Sequence, residues 1–471
     1  MSRINTNVSS LIAQRVLRSN NTNLNTSLER LSTGLRINTG ADDPAGLIAS
    51  EALKAEQTGI NQAIDNANRA SNIIGTAEGG LNEVSSLLNQ LQGLVNQSAN
   101  TGGLSQDEIN ANQLQGDSIL STINRIANST TFQGRKLLDG TLAYTLSGAG
   151  TSAFAAISVN AANLPGNKAE AVIVQVTNSA TLGNLAHSGA TGLGASAVTL
   201  QIAGNAGTTQ LSFAGSTKLS AISAAINNLT GDTGVSASAN GGNITFKASN
   251  YGSDQFVSVQ ALSGTFSITG GTGGKAFGTD AKVEVNGAAA TVHGIAATYR
   301  DNNLDVNFTL SSGLNNGKTK SFGITGGGAT FSLGSKVEDT LKSSIGIASV
   351  STGSLGDATL GYLSTLASGG VNSLSSTSLV TAQKILDESI NQVSSLRGRL
   401  GAFQKFQLGS TINSLGVAYE NISAANSAIR DTDFAHETAN LTRSQILSQA
   451  ATTVLAQANS APQAALSLLP R

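Results

Sequence analysis

SQILSQAATTVLAQANSAPQAALSLLP, Ser444 to Pro470, carries no charged residue over 27 positions. Leu447, Ala450, Ala451, Val454, Leu455, Ala458, Ala461, Ala465, Leu466 and Leu469 recur through it at helical spacing. A chain end is usually polar and loosely held. A neutral, half-apolar helix of this length reads instead as an element built for burial. The opposite end carries a matching stripe. Leu17, Leu24, Leu28, Leu31 and Leu35 follow one another at intervals of 7, 4, 3 and 4 residues, a heptad-like pattern. Ile4, Val8 and Leu11 begin the same face earlier. Neither arm has an obvious partner within itself, so the simplest arrangement pairs the two arms with each other.

Between the arms the periodicity changes twice. Arg36–Gly46 interrupts the first stripe with Gly40, Pro44 and Gly46, and helical spacing resumes from Leu47 to Val95. Asn100–Ser105 reads as a turn, and a further helix holds Ile109, Leu114, Ile119, Ile123 and Ile126. From about residue 141 to 370 the chain is rich in Gly, Ser, Thr and Ala. Short alternating runs appear there: Val198/Leu200/Ile202, Leu211/Phe213, Ile244/Phe246, Val257/Val259, Val283/Val285 and Leu304/Val306/Phe308/Leu310. Period-two runs bounded by Gly and Asn are strand signals. One helix, Leu219, Ile222, Ile226 and Leu229, is expected among them, stopped by Gly231. Helical spacing returns with Leu386–Leu400 and Ile412–Ile429. The expected fold class is therefore α+β: long N- and C-terminal helices paired into a rod-like coiled-coil core, with a central β-rich insert of one or more solvent-facing lobes.

Composition narrows the function. Charged residues make up 12 % of the 471 residues and the net charge is −1, which gives no electrostatic case for nucleic acid. There is no Cys, so no disulfide, thiolate metal site or cysteine nucleophile exists. MSRINTNVSS lacks the basic start and apolar run of a general secretory signal. No apolar run reaches membrane-span length. Long exposed coiled coils usually carry dense Glu and Lys beside the seam; the uncharged C-terminal stretch favours burial among many copies instead.

Three loci imitate catalytic or binding motifs and fail on spacing. SSGLNNGKTK (Ser311–Lys320) has three residues between Gly313 and Gly317 where a phosphate loop has four, and strand-like SFGIT follows it. HETAN begins at His436 but puts Asn440 where a zinc protease helix has its second His. His187, His293 and His436 are far apart in sequence. Asp42 and Asp43, in a turn before a helix, read as capping residues. No enzyme, cofactor or metal is expected.

At both ends the residues resemble one family. LERLSTGLRINTGADDPAGLIASE (Leu28–Glu51) and AIRDTDFAHETANLTRSQILSQAATTVLAQANSAPQAALSLL (Ala428–Leu469) are similar to the N- and C-terminal signatures of bacterial flagellin. Val198–Leu262 resembles a repeat module inserted in many flagellins. The resemblance implies an exported structural subunit that polymerises into the extracellular flagellar filament and drives motility. It implies that residues 1–45 with 431–471 form the inner tube and its spoke, 46–140 with 371–430 a helical rod, and 141–370 a variable outer domain. Polymer contacts are expected from Leu17, Leu24, Leu28, Leu31 and Leu35, and from Leu447, Ala450, Val454, Leu455 and Ala458. Asp42, Asp43 and Pro44 belong to the spoke.

The partners implied are many copies of the same chain, an export chaperone on the C-terminal segment, and the filament cap and junction proteins, with no nucleic acid and no membrane insertion. Export would follow the flagellar type III route, with the chain unfolded. The terminal segments of flagellins are typically disordered in the free monomer and fold on assembly. Two departures stand out. GAFQKFQ (Gly401–Gln407) places Lys405-Phe406 where Asn-Arg is common. The position matching an Arg sensed by the innate-immune Toll-like receptor is Gln90, although Leu94 is kept. Two other readings share features with this one: the hook–filament junction protein, and a β-rich adhesin on a helical stalk.

Overall fold

A computed structural model of the chain describes residues 6–100, 102–150, 152–164, 168–189, 192–301, 303–311, 317–376 and 378–466, with side chains described as far as residue 461. Ile4 and Leu469 lie outside these residues, as do Ser312–Asn316 of the phosphate-loop imitation; the side chains of Ala465 and Leu466 are not described. Eight α-helices are present among the described residues: α1 (Val8–Thr33), α2 (Pro44–Ser98), α3 (Gln106–Ser129), α4 (Leu219–Asn228), α5 (Thr230–Thr233), α6 (Leu379–Ala402), α7 (Gly409–Arg430) and α8 (Phe434–Leu466). The strands lie between Thr131 and Tyr362. The helical–β–helical order expected from periodicity is the order observed.

The chain divides into two compact units, Met1–Asn68 with Leu333–Val337 and Leu408–Arg471, and Arg69–Ser332 with Glu338–Gln407. In the first, α1 packs along α8. Polar contacts join Asn7 to Ala458, Asn21 to Ser448 and Ser27 to Glu437, so the residue numbers fall on one helix as they rise on the other and the pair is antiparallel. Local chemistry sets the ends of α1. The Asn7 side chain accepts from the Ser10 N–H, and Gly34 takes a left-handed conformation (φ 74°) and donates its N–H to the Arg30 carbonyl. In this unit α2 also meets α7: Arg430 reaches Glu51 at 2.8 Å, and Ser50 donates to Asn426 at 2.8 Å.

In the second unit, α2 and α3 form a hairpin. Ser105 opens α3 with a reciprocal capping box to Glu108. The buried faces hold Ile74, Leu81, Leu88, Leu91 and Val95 of α2, Leu120 and Ile123 of α3, and Val393, Leu396 and Leu400 of α6. Cross-helix polar contacts link Gln92 to Asp387, Glu78 to Arg397 and Ser71 to Gln404. A short hairpin, Thr131–Phe132 with Arg135–Lys136, follows α3. Periodicity did not indicate it, because a two-residue strand has no period; its signal is Gln133-Gly134, both at positive φ, as a tight hairpin turn requires.

The β zone forms two lobes, each with its own core. In one, a five-stranded sheet (Ala288–Ala289, Lys282–Val285, Glu170–Asn178, Thr319–Gly327, Tyr144–Ser147) faces a four-stranded one (Thr291–His293, Ala296–Arg300, Leu304–Leu310, Phe154–Ala162). Phe154 meets Phe308 and Phe322 edge-on between the sheets, at 5.7 and 5.6 Å. In the other, Lys275–Phe277, Phe256–Ser263, Val198–Gly204 and Thr208–Phe213 form one sheet and Asn184–Ser188, Asn243–Ala248 and Val235–Asn240 a second. Their core buries Leu200, Ile202, Phe246 and Val259 with Leu219, Ile222 and Ile226 of α4. One detail differs from the sequence reading. Gly231 does not end the helix: α4 stops at Asn228, Thr230–Thr233 adds one turn, and Gly234 caps it at φ 72°. The stop needs left-handed backbone, and Gly234 supplies it.

Candidate assembly surface

The seam between α1 and α8 interleaves small and polar side chains with leucines. On α1, Ser10, Ala13, Leu17, Asn20, Leu24, Ser27 and Leu31 are buried or half-buried, three or four residues apart. On α8 the same spacing runs through Glu437, Leu441, Ser444, Ser448, Ala451, Leu455 and Ala458. Ser10, Ala13 and Ser27 are the buried residues of α1. Short side chains let two helices approach closely, and their hydroxyls and amides then find partners across the gap. Asn7 Nδ2 donates to the Ala458 carbonyl at 2.7 Å and Ser10 Oγ to Asn459 Oδ1 at 2.7 Å. Asn20 Nδ2 donates to the Leu447 carbonyl at 3.2 Å and Ser448 Oγ to Asn21 Oδ1 at 2.7 Å. Near the far end Glu437, 6 % exposed, accepts from Ser27 Oγ at 2.5 Å and lies 3.7 Å from Arg30 Nη1.

The candidate polymer residues therefore divide. Leu17, Leu24 and Leu31 of α1 and Leu455 and Ala458 of α8 are half-buried at the seam. Leu28 is 47 % exposed, and Leu447, Ala450 and Val454 point outward. Leu35 has left the helix and bridges to Asp431. A five-leucine stripe is wider than the single row that one partner helix covers, so the structure separates what a helical stripe merges. Val8 and Leu11, which begin the N-terminal stripe, join the outward set, as do large apolar residues that no stripe singled out: Ile12 and Val16 on α1, and Phe434 and Ile446 on α8, all at least 43 % exposed. The helix pair buries Ser10, Ala13, Ser27, Glu437 and Ala451, half-buries a row of leucines beside them, and leaves many of its other large apolar side chains exposed. These uncovered apolar side chains are the main property of the surface.

The turn between α1 and α2 is held from within. Asp42 Oδ2 accepts the Thr39 N–H at 2.8 Å, the Asn38 N–H at 3.1 Å and Thr39 Oγ1 at 3.1 Å. The backbone hydrogen bond from Thr39 holds its carboxyl below the usual range. Asp43 Oδ1 accepts the Gly46 N–H at 2.9 Å, and the Asp43 carbonyl accepts from Leu47. Asp43 thus caps α2, with Pro44 in the first helical position, where its missing N–H has no cost. Two backbone hydrogen bonds tie the connections together: Arg36 N–H to the Arg430 carbonyl at 2.7 Å and Thr432 N–H to the Gly34 carbonyl at 2.9 Å. Asp433 caps α8, accepting the N–H groups of Ala435 and His436.

Gln90 is exposed on α2 and Leu94 is half-buried. His436 is exposed in the first turn of α8, His187 stacks on Phe266 at 3.9 Å, and His293 ends a strand of the first lobe. No three His, Asp or Glu side chains converge as metal ligands among the described residues, and no described helix is long and apolar enough to cross a membrane.

Comparison with known proteins bears on the same regions. Residues 4–143 match the model for the bacterial flagellin N-terminal helical region and residues 383–469 that for the C-terminal helical region. Residues 199–250, in the second lobe, match the flagellin hook IN motif. Flagellin D of Vibrio anguillarum is 32 % identical over 469 residues, covering 99 % of each chain. Polar flagellin F of Vibrio parahaemolyticus is 32 % identical over the same length and coverage. A solved structure of FliC from Burkholderia pseudomallei aligns with 71 % of this chain and 99 % of its own at 16 % identity and a TM-score of 0.24. The two helical regions so matched are the ones that α1–α3 and α6–α8 occupy, and the relatives extend along nearly the whole sequence: the chain belongs to the bacterial flagellin family.

Proposed function

We propose that the chain is the structural subunit of the bacterial flagellar filament and that copies of it join through the outward apolar face of α1 and α8. The observation that carries this reading is the apolar face that the helix pair leaves exposed. Val8, Leu11, Ile12 and Val16 on α1 and Phe434, Ile446 and Val454 on α8 are exposed in a single chain. Burying a large aliphatic side chain is worth about 1.5–3 kcal/mol, so covering this set with neighbouring copies supplies the drive for assembly. The uncharged sequence from Ser444 to Pro470 avoids desolvating charges in the polymer.

In this reading residues 1–45 and 431–471 form the inner tube and spoke, 46–140 and 371–430 the surrounding helical layer, and 141–370 the outer domain. Asp42, Asp43 and Pro44 fix the spoke turn. Leu17, Leu24, Leu31, Leu455 and Ala458 hold the helix pair in register, and Leu28, Leu447, Ala450 and Val454 meet other copies. The chain leaves the cell unfolded by the flagellar type III route, which the absence of Cys suits, and an export chaperone covers the C-terminal apolar face beforehand. Cap and junction proteins contact the ends of the polymer. Gln90, in place of Arg, weakens recognition by the innate-immune receptor.

Seeded assembly tests the reading. Purified full chain, added to filament fragments and followed by negative-stain microscopy, is expected to elongate them. A truncation ending at Asn440 is expected not to. Short rings without elongation would favour a junction protein, and soluble oligomers alone a stalked adhesin. Elongation by the truncation would show that the α8 face is not the contact.

A further inference from the structure

The helix that follows the β zone is not regular. Between α6 and α7, Phe403–Leu408 forms a π-helical turn. Along α6 the buried positions Val393, Leu396, Leu400 and Phe403 succeed one another at intervals of 3, 4 and 3. The next buried position is Leu408, five residues after Phe403. Along α7 the half-buried positions Ile412, Leu415, Tyr419, Ile422, Asn426 and Ile429 return to 4, 3, 4, 3, 4 and 3, counted from Leu408. The chain therefore contains one residue more than a regular helix needs here, and the π turn takes it up without turning either flank away from its buried face.

The inner side of the turn is satisfied. Phe403 packs beside Phe331, with ring centroids 6.1 Å apart, and Gln404 Nε2 donates to Ser71 Oγ at 2.8 Å. The extra residue goes outward. Phe406 is 68 % exposed, and the ring contact recorded for it is with its own neighbour, Lys405 Nζ, 5.4 Å from the centroid. A π turn has poorer helical geometry than the α-helix it replaces and occurs mostly where function keeps it. Phe406 is thus left largely uncovered by the described residues.

We infer that the π turn exists to present Phe406, flanked by Lys405, to a second copy of this chain in the assembled polymer. The inference rests on the filament reading. It extends the assembly surface from α1 and α8 to the α6–α7 junction, which lies within the matched C-terminal helical region.

Two variants of the full chain test it, with thermal unfolding of the monomer and the critical concentration for seeded elongation as readouts. Phe406→Gln keeps the turn and removes the ring. Deletion of Phe406 removes ring and insertion together and restores a four-residue step from Phe403 to the following Leu. Both are expected to raise the critical concentration roughly tenfold or more, the scale of one buried aromatic side chain. Phe406→Gln should unfold at the unmodified temperature and the deletion at that temperature or above, because a regular helix replaces the π turn. Phe406→Leu should recover most of the elongation. Unmodified elongation by Phe406→Gln would overturn the inference and leave the filament reading standing. Failure of the unmodified chain to elongate seeds would remove both. Should the deletion not fold, Phe406→Gln and Phe406→Leu decide alone.

Discussion

Replacing Glu437 with Ala tests whether the polar seam holds the two terminal helices together. Glu437 is buried, accepts Ser27 Oγ at 2.5 Å and faces Arg30 Nη1 at 3.7 Å. Truncation removes three contributions. The Ser27 hydroxyl loses its acceptor inside the seam, at about 1–2 kcal/mol. Arg30 loses its counter-charge; a fully buried partner would cost about 3–5 kcal/mol. The Arg30 side chain keeps 29 % exposure, which brings this nearer about 1 kcal/mol. The first turn of α8 loses a carboxylate at its positive end, worth about 0.3–1 kcal/mol. The total of about 2–4 kcal/mol corresponds to a critical concentration for seeded elongation raised about 30-fold or more. Glu437→Gln keeps an acceptor for Ser27 and should lose less. Arg30→Met with Glu437→Leu removes both charges and should recover much of the loss, because an apolar pair of similar volume often replaces an ion pair without penalty. Elongation by Glu437→Ala within twofold of the unmodified chain would refute this account of the seam.

Other expected outcomes follow from single positions. Gly59→Ala should destabilise the first unit by about 1–3 kcal/mol, since a Cβ there would lie 2.3 Å from the Ser335 carbonyl oxygen; an unchanged melting temperature would mean that the 333–337 loop moves aside freely. Ser105→Ala should cost about 1 kcal/mol by removing the cap of α3, read as a lowered urea midpoint. Asp280 is held below the usual carboxylate range by Ser253 Oγ, then by the N–H groups of Gly294 and Ser253. Its stabilisation is therefore complete above the ordinary Asp range and is lost as pH falls through the lowered value. Asp280→Asn should flatten that part of the acid-unfolding profile, and an unaltered profile would argue against it. Gln90→Arg should raise receptor-reporter activation by the purified monomer; strong activation by the unmodified chain would contradict the proposed effect of Gln90.

The sequence by itself determined the order of the elements. The steps of three and four along Leu17–Leu31 and Leu386–Leu400, and of two along Leu304–Leu310, are local properties, and backbone geometry turns each into a helix or strand whatever it packs against. The Gly and Pro positions marking Arg36–Gly46 are equally local. The long uncharged C-terminal run is as plain in the sequence, while most of its described residues are exposed in the single chain.

Which face is buried against which partner was a different matter. Leu28 and Leu31 share one stripe in the sequence, yet Leu31 is half-buried at the seam and Leu28 is 47 % exposed. The seam follows Ser10, Ala13 and Ser27, residues that a hydrophobic stripe passes over, because close approach between two helices depends on size and on cross-helix hydrogen bonds. The strand order across Ala288–Ala289, Lys282–Val285, Glu170–Asn178, Thr319–Gly327 and Tyr144–Ser147 joins segments more than a hundred residues apart, and period alone contains no such pairing. The five-residue step from Phe403 to Leu408 could be seen only once burial on both flanks was known. Tertiary structure made these choices because a side chain's burial depends on its neighbours in space, while period and turn chemistry depend on neighbours in the chain.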